Sequence, residues 1–377
     1  MKDIPFVNAS KFLLVASLLI LQLAVVSDSK AVVVTGLYDV EFPVPDQSRQ
    51  VRDAVFSKGL EEVLIRVSGN RSILKQVKPA AAAAYVQQYS YVEHQPNGTD
   101  SARAPALSTP SAAVSYLLKV QYSSGKIIAL LRENGQPVWG DRRGKAVVWL
   151  AVRDGNNRYV LKDSDASLLK EALTQAAQRR GLPVIWPIND LKDQQQLRFT
   201  DLWAAFAKPV KAASKRYTNG PVIVGRLSWT GNDWRGDWSL FVDGSVYSWS
   251  VNGRDYATVI AEGVDLTADK IGKHYAVLER TDSDEPYVLV KIVNIDSLKD
   301  YRKIQQFLKG LAAVRQTDLV HLDQEVVVFR IDLRGDVNDF VRLVALDRKL
   351  EPRADPPEPG GGHSGQQQQV LHYSYRQ

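Results

Sequence analysis

The residues with the clearest chemical potential are three carboxylates in one short region. Asp190 and Asp193 lie in "INDLKDQ", and Asp201 follows soon after. Carboxylates that converge in one cleft can act as general acid and general base in the hydrolysis of a polymer. Aspartates at such positions also cap helices and form salt bridges in loops, and that is their commoner role. The capping interpretation is favoured, and an envelope hydrolase is the alternative that requires all three carboxylates in one cleft.

Other catalytic signatures are incomplete. Ser72 and Lys75 in "SILK" have the serine-to-lysine spacing of penicillin-binding enzymes, but no Lys-Thr-Gly element follows them. The chain has no cysteine, and its five histidines are isolated from other ligands at metal spacing. No phosphate loop, dinucleotide fingerprint or zinc signature is present. The sequence therefore predicts a non-enzymatic protein without a cofactor or a metal.

Four of the eight tryptophans lie between residues 220 and 253. An Asp243-Gly244 turn predicts a hairpin that places Trp238 opposite Trp249. A second turn, over residues 230–233, places Trp229 opposite Trp234, and all four side chains then share one face of a three-stranded meander. If helices cover this apolar face, the four tryptophans belong to the core. The segments 200–217 and 254–275 are the candidate helices that cover it. A platform that stacks sugar rings is the alternative.

The opposite face of the same meander is polar. The register places Arg226 opposite Asp237, so opposite charges face each other across the strands, and it places Ser228 opposite Arg235. We take Arg226, Arg235 and Asp237 as the predicted contact face. Burial of this face by the protein's own helices would contradict the prediction.

Composition and the N-terminus bear on partners and location. The chain has 377 residues, 45% of them hydrophobic, and a net charge of +6. Such a charge suits an anionic partner, but the basic residues are scattered, so no nucleic acid is predicted. Residues 12–26 are apolar after two lysines, and Ser29 and Ala31 have the spacing of a signal-peptidase site. Residues 1–31 are therefore predicted to be a secretory signal peptide, with an uncleaved inner-membrane anchor as the alternative.

The rest of the chain reads as an α+β protein of three modules, with mostly antiparallel sheets covered by helices. No later segment is long and apolar enough to cross a membrane. The C-terminal module has the order of a ferredoxin-like fold without its last strand, which "VLHYSYR" at 370–376 could supply. The predicted modules are residues 32–140, residues 145–278 with the tryptophan-rich meander, residues 286–350, and a flexible tail over 351–377.

Six stretches, in this order, resemble an exported family of gammaproteobacteria, the domain of unknown function 2066. They are "LYDVEFPVPDQS", "VLIRVSGNR", "YVQQYSY", "PVWGDRRGKAVVWLAV", "RRGLPVIWPINDLKD" and "VIVGRLSW", from about Leu37 towards Tyr275. The family has no established activity, so the resemblance implies export and a bacterial origin but no mechanism.

The middle region is also loosely similar to two other periplasmic domains. "GPVIVGRLSW" and its return hairpin resemble the TolB N-terminal domain and the lipoprotein activators of penicillin-binding proteins. Those domains are docking modules, which implies docking here. The activators carry a lipid on a cysteine, and this chain has no cysteine for one.

These observations predict a periplasmic docking or scaffold protein that works in envelope assembly or maintenance. Its partners would be envelope proteins. The alternative from another class is a binder of peptidoglycan or another anionic envelope polymer, using exposed tryptophans and basic side chains.

Overall fold

The computed structural model describes residues 31–78, 81–94, 115–280, 287–323, 326–347, 349–354 and 369–376. Nearly all of the predicted signal peptide and the acidic linker at 281–286 lie outside these residues. Within them, none of the helices combines the length and the apolar character that a membrane crossing requires. Helices and strands of both mixed and antiparallel sheets are present, which confirms the α+β fold.

The N-terminal part folds as a three-stranded antiparallel sheet with a long helix packed on it. Its sheet order is β2-β4-β3, and a two-stranded ribbon joins β1 to β5. The first helix begins after Ser48, whose side chain accepts from the Val51 amide, and ends at Gly69 in the left-handed conformation. The elements are β1 (Val32–Val33), β2 (Asp39–Val44), α1 (Arg49–Ser68), α2 (Ile73–Gln76), a 3-10 turn (Ala82–Tyr85), β3 (Val86–His94), β4 (Ser115–Tyr122), α3 (Ser124–Glu133) and β5 (Arg142–Arg143).

The middle part is built on a six-stranded mixed sheet of order β11-β10-β9-β6-β7, in which β8 also pairs with β6. Strand β6 is parallel to β8 and β9, and the other pairs are antiparallel. The elements are β6 (Ala146–Asp154), β7 (Asn157–Val160), α4 (Leu168–Arg179), β8 (Val184–Ile185), α5 (Leu191–Gln196), α6 (Phe199–Trp203), α7 (Ala207–Ser214), β9 (Val222–Trp229), β10 (Trp234–Val242), β11 (Ser245–Gly253) and α8 (Tyr256–Tyr275).

Helices cover both faces of this sheet. Val148 and Leu150 of β6 pack into the core that α4 and α8 close, whereas Val147 and Trp149 pack into the core under α5 to α7. This explains why "AVVWLAV" is apolar at every position, as strands buried on both faces are. The expectation that 200–217 would cover the tryptophan face was wrong, because those helices lie on the opposite face.

The C-terminal part has the ferredoxin-like order β13-β14-β12, with a further pair of strands, β16 and β15, beyond β12. Its elements are β12 (Tyr287–Val293), α9 (Leu298–Lys309), β13 (Val314–Leu322), β14 (Val326–Leu333), α10 (Val337–Ala345), β15 (Leu350–Pro352) and β16 (Val370–Tyr375). The side chain of Ser297 caps α9, and that of Asp336 caps α10.

Residues 370–375 supply the strand that the sequence left open, so this part of the predicted flexible tail is a strand of the sheet. Strand β16 lies between β12 and β15 and runs parallel to β12, with Tyr373 and Tyr375 buried. The segment directly after α10 carries prolines at 352, 356, 357 and 359. Because proline cannot donate to a strand ladder, that segment is unsuited to a place beside the central strand β12. The chain therefore returns and fills this place with residues 370–375.

Candidate functional site

The outer part of the predicted contact face lies on β10 and β11, and β11 is the edge strand of the middle sheet. Arg235 binds Asp237 through two nitrogens, Nε to Oδ2 at 3.1 Å and Nη2 to Oδ1 at 3.0 Å. Ser250 of β11 donates to the same carboxylate. Burial alone would raise the pKa of Asp237, but these hydrogen bonds outweigh it and hold the pKa below its ordinary value. The face therefore presents an ordered, ionised pair at the sheet edge.

Arg226 occupies a different environment from the other two. It lies opposite Asp237, as predicted, but it is half-buried and its Nη1 donates to the Trp203 carbonyl at the end of α6, 3.0 Å away. Burial lowers the pKa of Arg226. Arg226 is thus held beneath one of the protein's own helices, so its place in the predicted contact face was wrong, whereas Arg235 and Asp237 lie beyond the helix on the accessible part of the sheet.

The four tryptophans adopt the predicted register. Trp238 pairs with Trp249, and Trp229 pairs with Trp234. Trp238 is fully buried against α8, where a Cβ added at Gly263 would lie 2.1 Å from its ring. Trp238 is therefore core.

The tryptophans at the end of the meander are more accessible. Trp229 exposes 36% of its surface and its ring lies 5.6 Å from that of Trp234, which in turn contacts Tyr256 edge-on at 6.0 Å. These three rings form an aromatic cluster, defined here as Trp229, Trp234 and Tyr256. It lies at the end of the face that α8 covers.

The three carboxylates do not share one polar cluster. Asp190 caps α5, and Arg216 Nη1 bridges it to the buried Asp193 at 2.8 and 3.1 Å. Hydrogen bonds from Arg216 hold the pKa of Asp190 below its ordinary value. Asp201 instead caps α6 by accepting from the backbone and side chain of Arg198. These contacts give all three residues capping and salt-bridge roles.

A buried arginine joins the N-terminal and middle modules, and sequence reasoning missed it. Arg143 is fully buried, and its guanidinium lies 3.7 Å from the centre of the Trp139 ring. All five of its N–H groups donate to backbone carbonyls at 2.9–3.1 Å; the acceptors are Arg66, Trp139, Gly140, Arg180 and Gly181. Burial lowers the pKa of Arg143 to about 9, so it stays charged at neutral pH.

A second set of charges strengthens this junction. Arg71, just after α1, binds Asp269 and Glu262 of α8, each at 2.8 Å. Arg180, at the end of α4, binds Asp265 and Asp269 at 3.0 and 2.6 Å. We call these residues the acid-rich cluster: Arg71, Arg180, Glu262, Asp265 and Asp269. Its two arginines and three carboxylates carry a formal charge of −1 and clamp α8 against the N-terminal module.

The two helices also approach each other closely at this junction. A Cβ added at Gly272 of α8 would lie 2.3 Å from the carbonyl oxygen of Gly69, the residue that ends α1. No local motif marks this contact in the sequence, because Gly69 and Gly272 lie far apart along the chain.

Comparison with known proteins identifies two domains of unknown function. Residues 31–140 match the domain of unknown function DUF8605, and residues 287–368 match the DUF2066 family. This C-terminal region is a DUF2066 domain. The expected family is therefore confirmed, but its matched residues lie outside the range from Leu37 to Tyr275 in which the resemblance was seen.

Other comparisons add little to these two matches. No curated protein matches the chain. The crystal structure of the Thermus thermophilus Protein Y N-terminal domain is 12% identical, with a TM-score of 0.18, over 34% of this chain and 94% of that one. An uncharacterized protein of known crystal structure is 11% identical, with a TM-score of 0.16, over 34% and 90%. At these TM-scores neither likeness bears on fold or function.

Proposed function

We propose that this protein is a non-enzymatic docking or scaffold protein of the bacterial cell envelope, exported to the periplasm and working in envelope assembly or maintenance. The observation that carries the proposal is the contrast between its junctions and its edges. Buried arginines lock the N-terminal module to the middle one, while β11 lies at the open edge of the middle sheet. Two modules that are held firmly together and carry an edge strand offer a preorganised surface to a partner.

The edge of the middle sheet suits an envelope protein as the partner. An edge strand presents backbone N–H and C=O groups that an extended segment of another chain can pair with. Beside it, the ion pair of Arg235 and Asp237 is already ordered by Ser250. Such an ordered ion pair beside a binding surface contributes more to the specificity and the register of partner binding than to its affinity.

Site-directed crosslinking tests this proposal, since the absence of native cysteine allows a single reactive thiol. Ser248→Cys places the thiol at an exposed position of β11. Ser124→Cys places it at an exposed position of α3 and is the matched control. We expect a defined envelope protein to be captured in cells from residue 248 and not from residue 124. Adding Arg235→Glu should reduce that capture.

Equal capture from both positions, or capture that ignores Arg235→Glu, contradicts the proposal. Osmotic-shock fractionation of the same cells tests the export on which the proposal depends. Retention of the chain in the cytoplasmic fraction would contradict the proposed export to the cell envelope.

A second candidate function is the binding of an envelope glycan, and the aromatic cluster favours it. Trp229 is accessible and its ring is tilted against that of Trp234, as in surfaces that stack sugar rings. Peptidoglycan fragments should then change the tryptophan fluorescence, and Trp229→Ala should abolish the change. A response that persists in this variant argues against binding at the aromatic cluster.

A further inference from the structure

Strand β11 lacks the features that usually protect an edge strand. Natural proteins keep edge strands from pairing with other chains by making them short, by bulging them, or by placing charges or prolines in them. Residues 245–253 of β11 read "SVYSWSVNG", which contains no charged residue and no proline. All nine residues pair with β10 in one continuous register. Strand β11 is therefore a long and regular edge.

The outer strands of the other edges each carry at least one protecting feature, as far as the structure describes them. Strand β13 has two register shifts along its pairing with β14, and β3 has one along its pairing with β4. Strand β2 contains Pro43 and two acidic residues, and β15 is three residues long and ends at Pro352. Strand β7 has four residues and includes Arg158. Since the chain protects its other edges, the unprotected β11 indicates an edge that pairs with another chain.

The turn between β10 and β11 determines which backbone groups of β11 point outward. Its two residues, Asp243 and Gly244, have φ values of 41° and 81°, and the flanking Val242 and Ser245 pair with each other. In such a hairpin the flanking residues exchange both backbone hydrogen bonds, and bonded and non-bonded pairs then alternate along the ladder. The outward N–H and C=O groups therefore belong to the even-numbered residues of β11: Val246, Ser248, Ser250 and Asn252.

A second copy of β11 complements this edge when the two strands run antiparallel. A two-fold interface pairs residue i with j and j with i, and the register that uses the whole strand places Trp249 on the axis. Ser248 then lies opposite Ser250 of the second copy, and Tyr247 lies opposite its Val251. Pairs of hydroxyl side chains and pairs of an aromatic with a β-branched residue are favourable across strands. Each face of β11 is thus complementary to itself.

The charges and the apolar surface at the edge also suit a second copy. Like charges do not meet within the paired strands, because β11 is uncharged, and the neighbouring ion pair of Arg235 and Asp237 is neutral as a whole. Val246 and Tyr247 expose 50% and 37% of their surface. Pairing would remove part of this apolar surface from water.

We propose that β11 pairs antiparallel with β11 of a second copy of this chain, which joins the two middle sheets into one. This proposal rests on the proposed function, because it names the occupant of the same edge while no partner strand is bound. A strand of the envelope partner then replaces the second copy. The dimer thus protects an edge that has no protection of its own.

Sedimentation equilibrium of the purified chain tests the dimer, and we expect twice the mass of one chain at micromolar concentration. Ser248→Pro removes an outward N–H and leaves the hydrogen bonds to β10 intact, so this variant should be a monomer. Ser248→Thr keeps the N–H, is the matched control and should remain a dimer. A monomeric wild type, or a Ser248→Pro variant that dimerises as tightly as the wild type, overturns the proposal.

Two double variants test the register and do not depend on the proline variant being stable. The register places Val246 opposite Asn252 of the second copy. Val246→Lys with Asn252→Lys brings like charges together at two symmetry-related positions, whereas Val246→Lys with Asn252→Glu brings opposite charges together. We expect the dissociation constant of the first variant to be at least about tenfold higher than that of the second. Equal dissociation constants contradict the proposed pairing.

Failure of the dimer can be distinguished from failure of the proposed function. A purified chain that is monomeric, while Ser248→Cys still captures an envelope protein in cells, overturns the dimer alone. A purified dimer that responds to the double variants as expected, without capture of an envelope protein in cells, supports the pairing of two copies and contradicts the proposed docking.

Discussion

Arginine has opposite roles at the junction of the first two modules and at the edge of the middle sheet. Arg143 is fully buried, and its five donors bind five backbone carbonyls from both modules. Arg235 is exposed and binds a single carboxylate two residues away. The first arrangement connects distant segments of the chain, whereas the second orders only a patch of surface.

The comparison separates a residue that stabilises the fold from one that only orders its surface. A buried charge that loses its partners, or partners that lose the charge, leaves uncompensated polar groups and costs several kcal/mol. An exposed ion pair contributes between zero and about 1 kcal/mol. Substitutions at the junction should therefore disrupt the fold, and substitutions at the edge should change binding while the fold stays intact.

The largest expected effect comes from Arg143→Met, which keeps the bulk of the side chain and removes every donor. Five carbonyls then lose the donor that joins the two modules, and we expect the free energy of unfolding to fall by about 3–5 kcal/mol. Urea denaturation measures this loss. Arg235→Met is the matched control and should cost less than about 1 kcal/mol. Equal losses in the two variants would remove the distinction between junction and edge.

A smaller loss is expected from Gly272→Ala, which tests the close approach of α8 to the end of α1. The new Cβ would lie 2.3 Å from the Gly69 oxygen, so the helices must move apart. We expect a loss of about 1–3 kcal/mol in urea denaturation, as in other overpacked interiors.

Gly125→Ala is the control for Gly272→Ala. Among the described residues, nothing outside the local helix backbone lies within 4 Å of a Cβ at Gly125 in α3, so this substitution should be neutral or stabilise by up to about 1 kcal/mol. Stabilisation by Gly272→Ala as well would show that the contact of Gly69 with Gly272 does not constrain the junction.

The meander could be predicted from the sequence because its information is local. The Asp243-Gly244 turn sets the register of β10 against β11, and that register places Trp238 opposite Trp249 without reference to the rest of the chain. The side of the sheet on which α6 and α7 lie could not be predicted in this way. An amphipathic helix specifies that it must cover a face, but not which face.

The junction could not be predicted because its partners are distant and carry no signature. Arg143 and its acceptor at Arg66 are 77 positions apart, and the acceptors are backbone carbonyls that every residue possesses. The strand in the C-terminal tail could be predicted in part. "VLHYSY" indicated a strand, but its parallel pairing with β12 joins residues that are far apart in the sequence, and no local pattern specifies that pairing.

The smallest expected effect is the pH dependence of the edge. The folded pKa of Asp237 lies below its ordinary value of 3.8, so the carboxylate stabilises the fold above that value, and its contribution disappears as the pH falls through the folded pKa. Asp237→Asn should cost less than about 1 kcal/mol at pH 7, because solvent screens the pair through the half-exposed Arg235.

Urea denaturation of the wild type and Asp237→Asn should give curves of stability against pH that converge at acid pH. The same experiment separates the edge from the junction. Arg143 has a pKa of about 9 and therefore stays protonated at every acid pH. The ionisation of Arg143 should thus add no pH dependence, below pH 7, to the free energy of unfolding that Arg143→Met loses. A deficit of Asp237→Asn that is equally independent of pH would show that Asp237 acts through packing and would remove the ordered ion pair from the contact face.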